Sequence, residues 1–205
     1  HTGGMSYAPD VKKIPAVAIS TRHAEMLSKL LKEDKDLQFY IETHSEMLED
    51  APSFNVIGEI KGSEYKDEII VVGGHLDSWD LAQGAHDDGA GCVQSIEVLR
   101  IFKSMGYKPK RTIRAVMYMN EENGLRGGLK YAELAAANKE KHIAAIESDR
   151  GGFTPRGFTV SGTATAKATV LGWKNLLEPF GLGDLGQEGG GADIGPLGKQ
   201  GTILI

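Results

Sequence analysis

The sequence predicts an α/β protein, a three-layer α/β/α arrangement in which a mostly parallel mixed sheet carries helices on both faces. Three observations predict it. Strand-like apolar runs alternate with segments of helical period from about residue 54 to residue 177, the chain order that builds a parallel sheet with helical crossovers. One run, Ile69 to Val72, is apolar at every position, as in a strand buried on both faces, whereas Phe54 to Ile60 alternates like a half-exposed antiparallel strand. The third observation is size: 205 residues, 40% hydrophobic and 25% charged, suit one compact domain with room for a fragment of a second.

The elements follow in order. Residues 1 to 20, with Gly3-Gly4, two prolines and the apolar run Ile14 to Ile19, predict a turn and a short strand. Thr21 is placed to cap a helix with Glu25 in its first turn and Ala24, Leu27, Leu30 and Leu31 on one stripe. Leu37 to Thr43 alternates apolar with polar residues and predicts a strand, as does Phe54 to Ile60. Ile69 to Val72 belongs mid-sheet. Cys92, Ile96, Leu99 and Phe102 make a helical stripe, Thr112 to Met119 an apolar strand, and Leu125 to Ala137 a third helix. Ile143 to Ile146 and Phe158 to Val160 predict short strands, Thr163 to Leu177 a helix ending before Pro179, Gly181 to Gly191 a loop, and Gly201 to Ile205 a last strand. The chain starts at His1 and stops inside that strand, so it is taken to be a piece.

Composition excludes several classes. A net charge of -5 provides no basic field to attract nucleic acid or anionic lipid. No apolar run approaches the roughly 20 residues of a membrane span, and nothing at the start has the charged, apolar and small-residue order of a signal peptide. Cys92 is the only cysteine, which rules out an internal disulfide, a CxxC motif and a Cys-based metal site. A homodimer is left open.

Three separate apolar strands end in metal-binding residue types: Ile69 to Gly74 runs into His75-Leu76-Asp77, Thr112 to Asn120 into Glu121-Glu122, and Ile143 to Ser148 into Asp149. Parallel strands deliver their carboxyl ends to one edge of a sheet, where ligands bind. Asp87-Asp88 joins them, in the loop that leaves the first of these strands for a helix beginning near Gly89. One imidazole among several carboxylates suits Zn²⁺, with Mn²⁺ or Co²⁺ fitting the same donors. So many crowded carboxylates would become protonated unless positive charge compensates them, and two metal ions sharing a carboxylate would do so. Taken singly, each residue has a plainer explanation. Asp88 could be only a helix N-cap, Glu121-Glu122 a solvated strand end, His75 a core histidine, and Asp149 half of a surface ion pair with Arg150. Four such endings at one edge are what singles out a metal site.

These residues resemble the zinc aminopeptidase family of di-metal exopeptidases, and most of all its plasma glutamate carboxypeptidase branch. The likeness lies in Gly74-His75-Leu76-Asp77-Ser78-Trp79-Asp80, Gly84-Ala85-His86-Asp87-Asp88-Gly89-Ala90-Gly91, Glu121-Glu122-Asn123-Gly124 and Glu147-Ser148-Asp149, in that order over residues 54 to 205. It implies the zinc-dependent exopeptidase fold over residues 21 to 205, broken off at the C-terminus. Residues 1 to 20 resemble the closing stretch of an inserted protease-associated domain. The resemblance implies two Zn²⁺ ions, one held by His75 and Asp149, the other by Glu122, with Asp87 bridging them across a cis Asp87-Asp88 peptide. It implies that Asp77 hydrogen-bonds the far nitrogen of the His75 imidazole and that Glu121 is the general base. The substrates would be dipeptides or short peptides with a free amino terminus, cleaved by an aminopeptidase or dipeptidase that is secreted or periplasmic. Asp193 matches a position near the family's pocket. A histidine ligand is also implied downstream, yet none follows His142, and the expectation is that the chain stops before it. Two alternatives share the fold: a non-catalytic receptor-like ectodomain, and a single-zinc glutaminyl cyclase.

Overall fold

The computed structural model describes residues 7–44, 46, 48–149 and 152–205. Chain contacts divide it into residues 1–51 and 52–205. Among the described residues of the first unit one helix forms, α1 (Thr21–Glu33), capped by Ser20, whose hydroxyl accepts the His23 N–H at 3.2 Å. The cap thus stands one residue before the expected Thr21. A turn closes at Val11 N–H to Ala8 carbonyl, 3.3 Å, but neither Ile14 to Ile19 nor Leu37 to Thr43 forms the expected strand. Alternation specifies a strand only where a neighbouring edge pairs with it. No described strand offers that edge here, and Phe39 and Tyr40 are exposed. The expected Gly3-Gly4 turn lies outside the described residues.

The second unit is built on a five-stranded sheet ordered β1-β3-β2-β4-β7. Its strands are β1 (Val56–Ile60), β2 (Tyr65–His75), β3 (Arg111–Tyr118), β4 (Lys141–Glu147) and β7 (Ile203–Leu204). β1 is antiparallel at one edge and the other pairings are parallel. The wholly apolar Ile69–Val72 run does lie mid-sheet. Along β3 the side chains alternate: Val116 and Tyr118 pack on one face with Tyr131, Ala132 and Ala135 of α3 (Arg126–Ala137) and Leu197 of α6 (Gly195–Gly198), while Ala115 and Met117 pack on the other with Cys92 and Leu99 of α2 (Gly89–Ser104). These are the two covered faces of a three-layer fold. Burying each of Val71 and Val116 completely stabilises the sheet by roughly 1.5–3 kcal/mol. Ile96, expected on the buried stripe of α2, is exposed, and Ser95 takes the inward place.

Two expectations about the last third change. The helix foreseen over Thr163 to Leu177 is capped by Thr163 but breaks at Gly172-Trp173 into α4 (Ala164–Gly172) and α5 (Lys174–Leu177). Glycine is a weak helix former, and the break falls where it leaves the backbone least constrained. The Gly181 to Gly191 loop contains β6 (Asp184–Gln187), which pairs in parallel with β5 (Gly157–Thr159) in a separate two-stranded sheet. Asp-Leu-Gly-Gln has no strand pattern, so the partner strand imposes the conformation.

α2 starts where the site lies. Asp88 caps it, its Oδ1 accepting the Gly91 N–H at 2.9 Å, and its Oδ2 accepts the His75 N–H at 2.9 Å. One fully buried carboxylate therefore joins the end of β2 to the start of α2. A methyl group at Gly91 would land on the Ser148 carbonyl oxygen and on both Asp88 carboxylate oxygens. Gly91→Ala is expected to destabilise the protein by about 1–3 kcal/mol, read as a lower denaturant midpoint; an unchanged midpoint would show that this approach has slack.

Candidate metal centre

Parallel register carries the predicted residues to one edge. Gly73 of β2 pairs with Glu147 of β4, and His75, the last residue of β2, pairs with Tyr118, the last of β3. Past these ends the chain delivers Asp77, the Asn120–Leu125 turn with Glu121 and Glu122, and Asp149. β3 ends at Tyr118 and residues 121–124 form a turn, so neighbouring Glu121 and Glu122 are not forced to opposite faces.

His75, Asp87 and Asp149 come together. One donor atom from each lies within 4.8 Å of the others. Nε2 of His75 is 3.1 Å from Asp87 Oδ1 and 3.4 Å from Asp149 Oδ1. Two donors about 2.1 Å from a tetrahedral zinc stand roughly 3.4 Å apart, so these spacings suit a shared ion. The imidazole is prepared for it. Its Nδ1–H donates to the Asp77 backbone carbonyl at 2.9 Å, and a carbonyl can only accept, so in the neutral ring Nε2 keeps its lone pair. Nε2 is buried and makes no hydrogen bond among the described residues. Burial lowers the proton affinity of this ring, but the Asp149 carboxylate, the Asp77 carbonyl and Asp88 outweigh it and push the pKa up to about 10. The cluster thus draws positive charge to His75, and its donor set of one imidazole and two carboxylates fits zinc.

The Asp77 carboxylate has a different task from the expected one. It stands 3.7 Å from His75 Nδ1, whose partner is the carbonyl of the same residue. Its Oδ1 and Oδ2 accept the N–H groups of Glu121 and Glu122 at 3.0 and 3.2 Å. Asp77 thereby ties the Glu121-Glu122 turn to the end of β2. Asp77→Ala is expected to lower activity or zinc affinity by about 10- to 100-fold; wild-type values for both in a folded variant would remove Asp77 from the site.

Glu121 has its pKa raised by burial, with Asp149, Asp77 and Asp87 adding to the rise against His75. Glu122 is raised by burial and then by Asp87 and Glu121. This is the carboxylate crowding expected from the sequence. Glu122 is not part of the three-residue cluster. The Asp87-Asp88 peptide is cis, and Asp88 does cap α2. His142, at the foot of β4, is held by the Tyr131 hydroxyl at 2.8 Å, away from the site. Arg150, the proposed surface partner of Asp149, lies outside the described residues.

Sequence reasoning assigned no role to Glu147 or His86. The Glu147 carboxylate accepts the N–H groups of Ala192 and Ile194 at 2.8 and 2.9 Å and so anchors the loop bearing Asp193. Burial, opposed by those N–H groups, sets its pKa at about 7. A glutamate ending an apolar strand was the available signal. Asp193 is buried, its pKa pushed up to about 8 by burial and then by Glu147 and Glu121. Beside Asp87, His86 Nδ1 accepts the Gly152 N–H at 3.1 Å, and its ring lies 5.1 Å from that of Phe153.

The profile of peptidase family M28 matches residues 55–200. Carboxypeptidase Q from Mus musculus is 40% identical over 194 residues, 95% of this chain and 41% of that protein, so the chain spans about two fifths of the length of these relatives. Among solved structures, a peptidase M28 precursor from Shewanella amazonensis SB2B superimposes with a TM-score of 0.81 at 35% identity, over 99% of this chain and 46% of that one. A zinc aminopeptidase from Bacillus subtilis does so with a TM-score of 0.55 at 25% identity, over 72% and 38%. With the strand ends that carry His75, Glu121, Glu122 and Asp149 inside the matched region, the chain belongs to peptidase family M28.

Proposed function

We propose that the protein is a zinc-dependent exopeptidase that hydrolyses dipeptides or short peptides with a free amino terminus. The observation that supports this most is the meeting of His75 Nε2 with the Asp87 and Asp149 carboxylates beside the Glu121 turn. In this proposal His75 and Asp149 hold one zinc ion, Glu122 contributes to a second, and Asp87 is shared. Bound zinc would lower the pKa of a water to about 7 and polarise the substrate carbonyl. Glu121 would take the proton of the attacking water and pass it to the leaving amine, a task for which a carboxyl of raised pKa is suited. Asp77 would keep Glu121 and Glu122 in register with His75. Secretion or a periplasmic location belongs to the same proposal; among the described residues no helix is long and apolar enough to cross a membrane.

One observation favours a second reading. The sole group of three ligating side chains among the described residues is His75, Asp87 and Asp149, enough for one ion, as a single-zinc glutaminyl cyclase would need. The deciding experiment is zinc stoichiometry on the complete protein, paired with assays of dipeptide hydrolysis and of cyclisation of an amino-terminal glutamine. Two ions with chelator-sensitive hydrolysis support the peptidase. One ion with cyclisation selects the alternative, and a protein that binds no zinc would be a receptor-like domain.

A further inference from the structure

The segment carrying Glu121 and Glu122 is secured at its base by a residue far away in sequence. Asn55, just before β1, reaches both ends of it: its Oδ1 accepts the Met119 N–H at 3.0 Å and its Nδ2 donates to the Gly127 carbonyl at 2.9 Å. Those two partners also face each other, the Gly127 N–H donating to the Met119 carbonyl at 2.9 Å. An acceptor contact on one side and a donor contact on the other fix which end of the amide is oxygen. Between them the backbone passes through the left-handed region at Asn120 (φ 68°), Gly124 (φ 142°) and Leu125 (φ 57°). Two of these are not glycine, so local preference opposes the path and the surroundings must impose it. The approach is close, because a methyl group at Gly127 would meet Asn55 Oδ1 and the Met119 backbone.

We propose that Asn55 is a positioning residue of the hydrolytic site, closing the base of the Met119–Gly127 loop so that Glu121 and Glu122 are presented to the His75, Asp87 and Asp149 cluster. This rests on the assignment of Glu121 as general base. Asp77 holds the loop at its tip and Asn55 at its foot. With the foot released, Met119 and Gly127 lose a half-buried partner, and the loop can relax out of its left-handed turns. A displacement of about 1 Å at a catalytic group costs on the order of 10²-fold in rate.

The test compares wild type, Asn55→Ala and Asn55→Asp as complete zinc-loaded proteins. At saturating zinc, Asn55→Ala is expected to lose about 10²-fold in kcat with KM unchanged, and to exchange its Met119 and Gly127 amide hydrogens faster while β2 amides stay protected. In Asn55→Asp the carboxylate repels the Gly127 carbonyl at neutral pH, but a protonated carboxyl restores one acceptor and one donor. Its kcat relative to wild type at the same pH is therefore expected to recover as pH falls, and that of Asn55→Ala is not. A folded, zinc-loaded Asn55→Ala with wild-type kcat overturns the proposal. If that variant does not fold, an Asn55→Asp protein whose relative kcat ignores pH overturns it instead. Should wild type hydrolyse no dipeptide, the peptidase assignment fails, and amide exchange at Met119 and Gly127 in Asn55→Ala alone judges the role of Asn55.

Discussion

Glu121→Gln is expected to leave the protein folded and zinc-loaded while lowering kcat by about 10²- to 10⁴-fold, the range a general base contributes. The substitution keeps side-chain volume and hydrogen-bonding capacity and removes only the ability to accept and return a proton. The turn should survive it, because what fixes Glu121 is its backbone N–H on Asp77 Oδ1, not its side chain. Zinc content should survive too, since the three-residue cluster does not include Glu121. A folded variant with full activity and bound zinc would falsify the assignment. A variant that loses its zinc would instead make Glu121 a ligand.

Chelation is expected to abolish activity and to lower the unfolding temperature, and Asp87→Ala to make both indifferent to zinc. With free zinc a thousandfold above its Kd, one bound ion adds about 4.1 kcal/mol of stability. In a chain of this length that is roughly 8 to 16 °C in Tm. The Asp87 side chain is 48% exposed, so its loss removes a donor without opening the core. Calorimetry with and without zinc checks this, and a zinc-dependent Tm that persists in Asp87→Ala would place the ion elsewhere. The metal-free protein has a pH signature as well. Burial first, and neighbouring acids after it, raise Asp88 to about 6, Glu147 to about 7 and Asp193 to about 8, while His75 is held at about 10 by Asp149 against its own burial. Each group binds its proton more tightly in the folded state than in the unfolded chain. Stability of the metal-free protein should therefore fall as pH rises from about 4 towards 10. Zinc should flatten that slope, because it supplies the positive charge that the protons otherwise provide.

How much of the site was legible depends on the kind of interaction. The meeting of His75, Asp87 and Asp149 could be read because two of them follow apolar runs and the third precedes a helix, and parallel strands send such ends to one edge. The hydrogen bonds of Asp77 could not. Its sequence position suits either a carbonyl or a carboxylate contact with His75, and the backbone path decided for the carbonyl, leaving the carboxylate for Glu121 and Glu122. Asn55 gave no signal, since an asparagine before a strand looks like any turn residue until Met119 and Gly127 are brought beside it. Leu37 to Thr43 shows the opposite error, a strand pattern without a described partner.

The sequence alone determined the three-layer class, the central place of Ile69–Val72 and the residue types at the strand ends, because burial on two faces and metal ligation each demand particular side chains. Tertiary structure alone decided which donors meet within reach of a single ion, what Asp77 holds, and how Asn55 closes a loop 64 residues further along the chain. The physical reason is range. Hydrophobic patterning acts along a strand or helix and is written in local order, whereas hydrogen bonds and ion sharing depend on ångström-scale distances between residues far apart in sequence, which exist only once the sheet has formed.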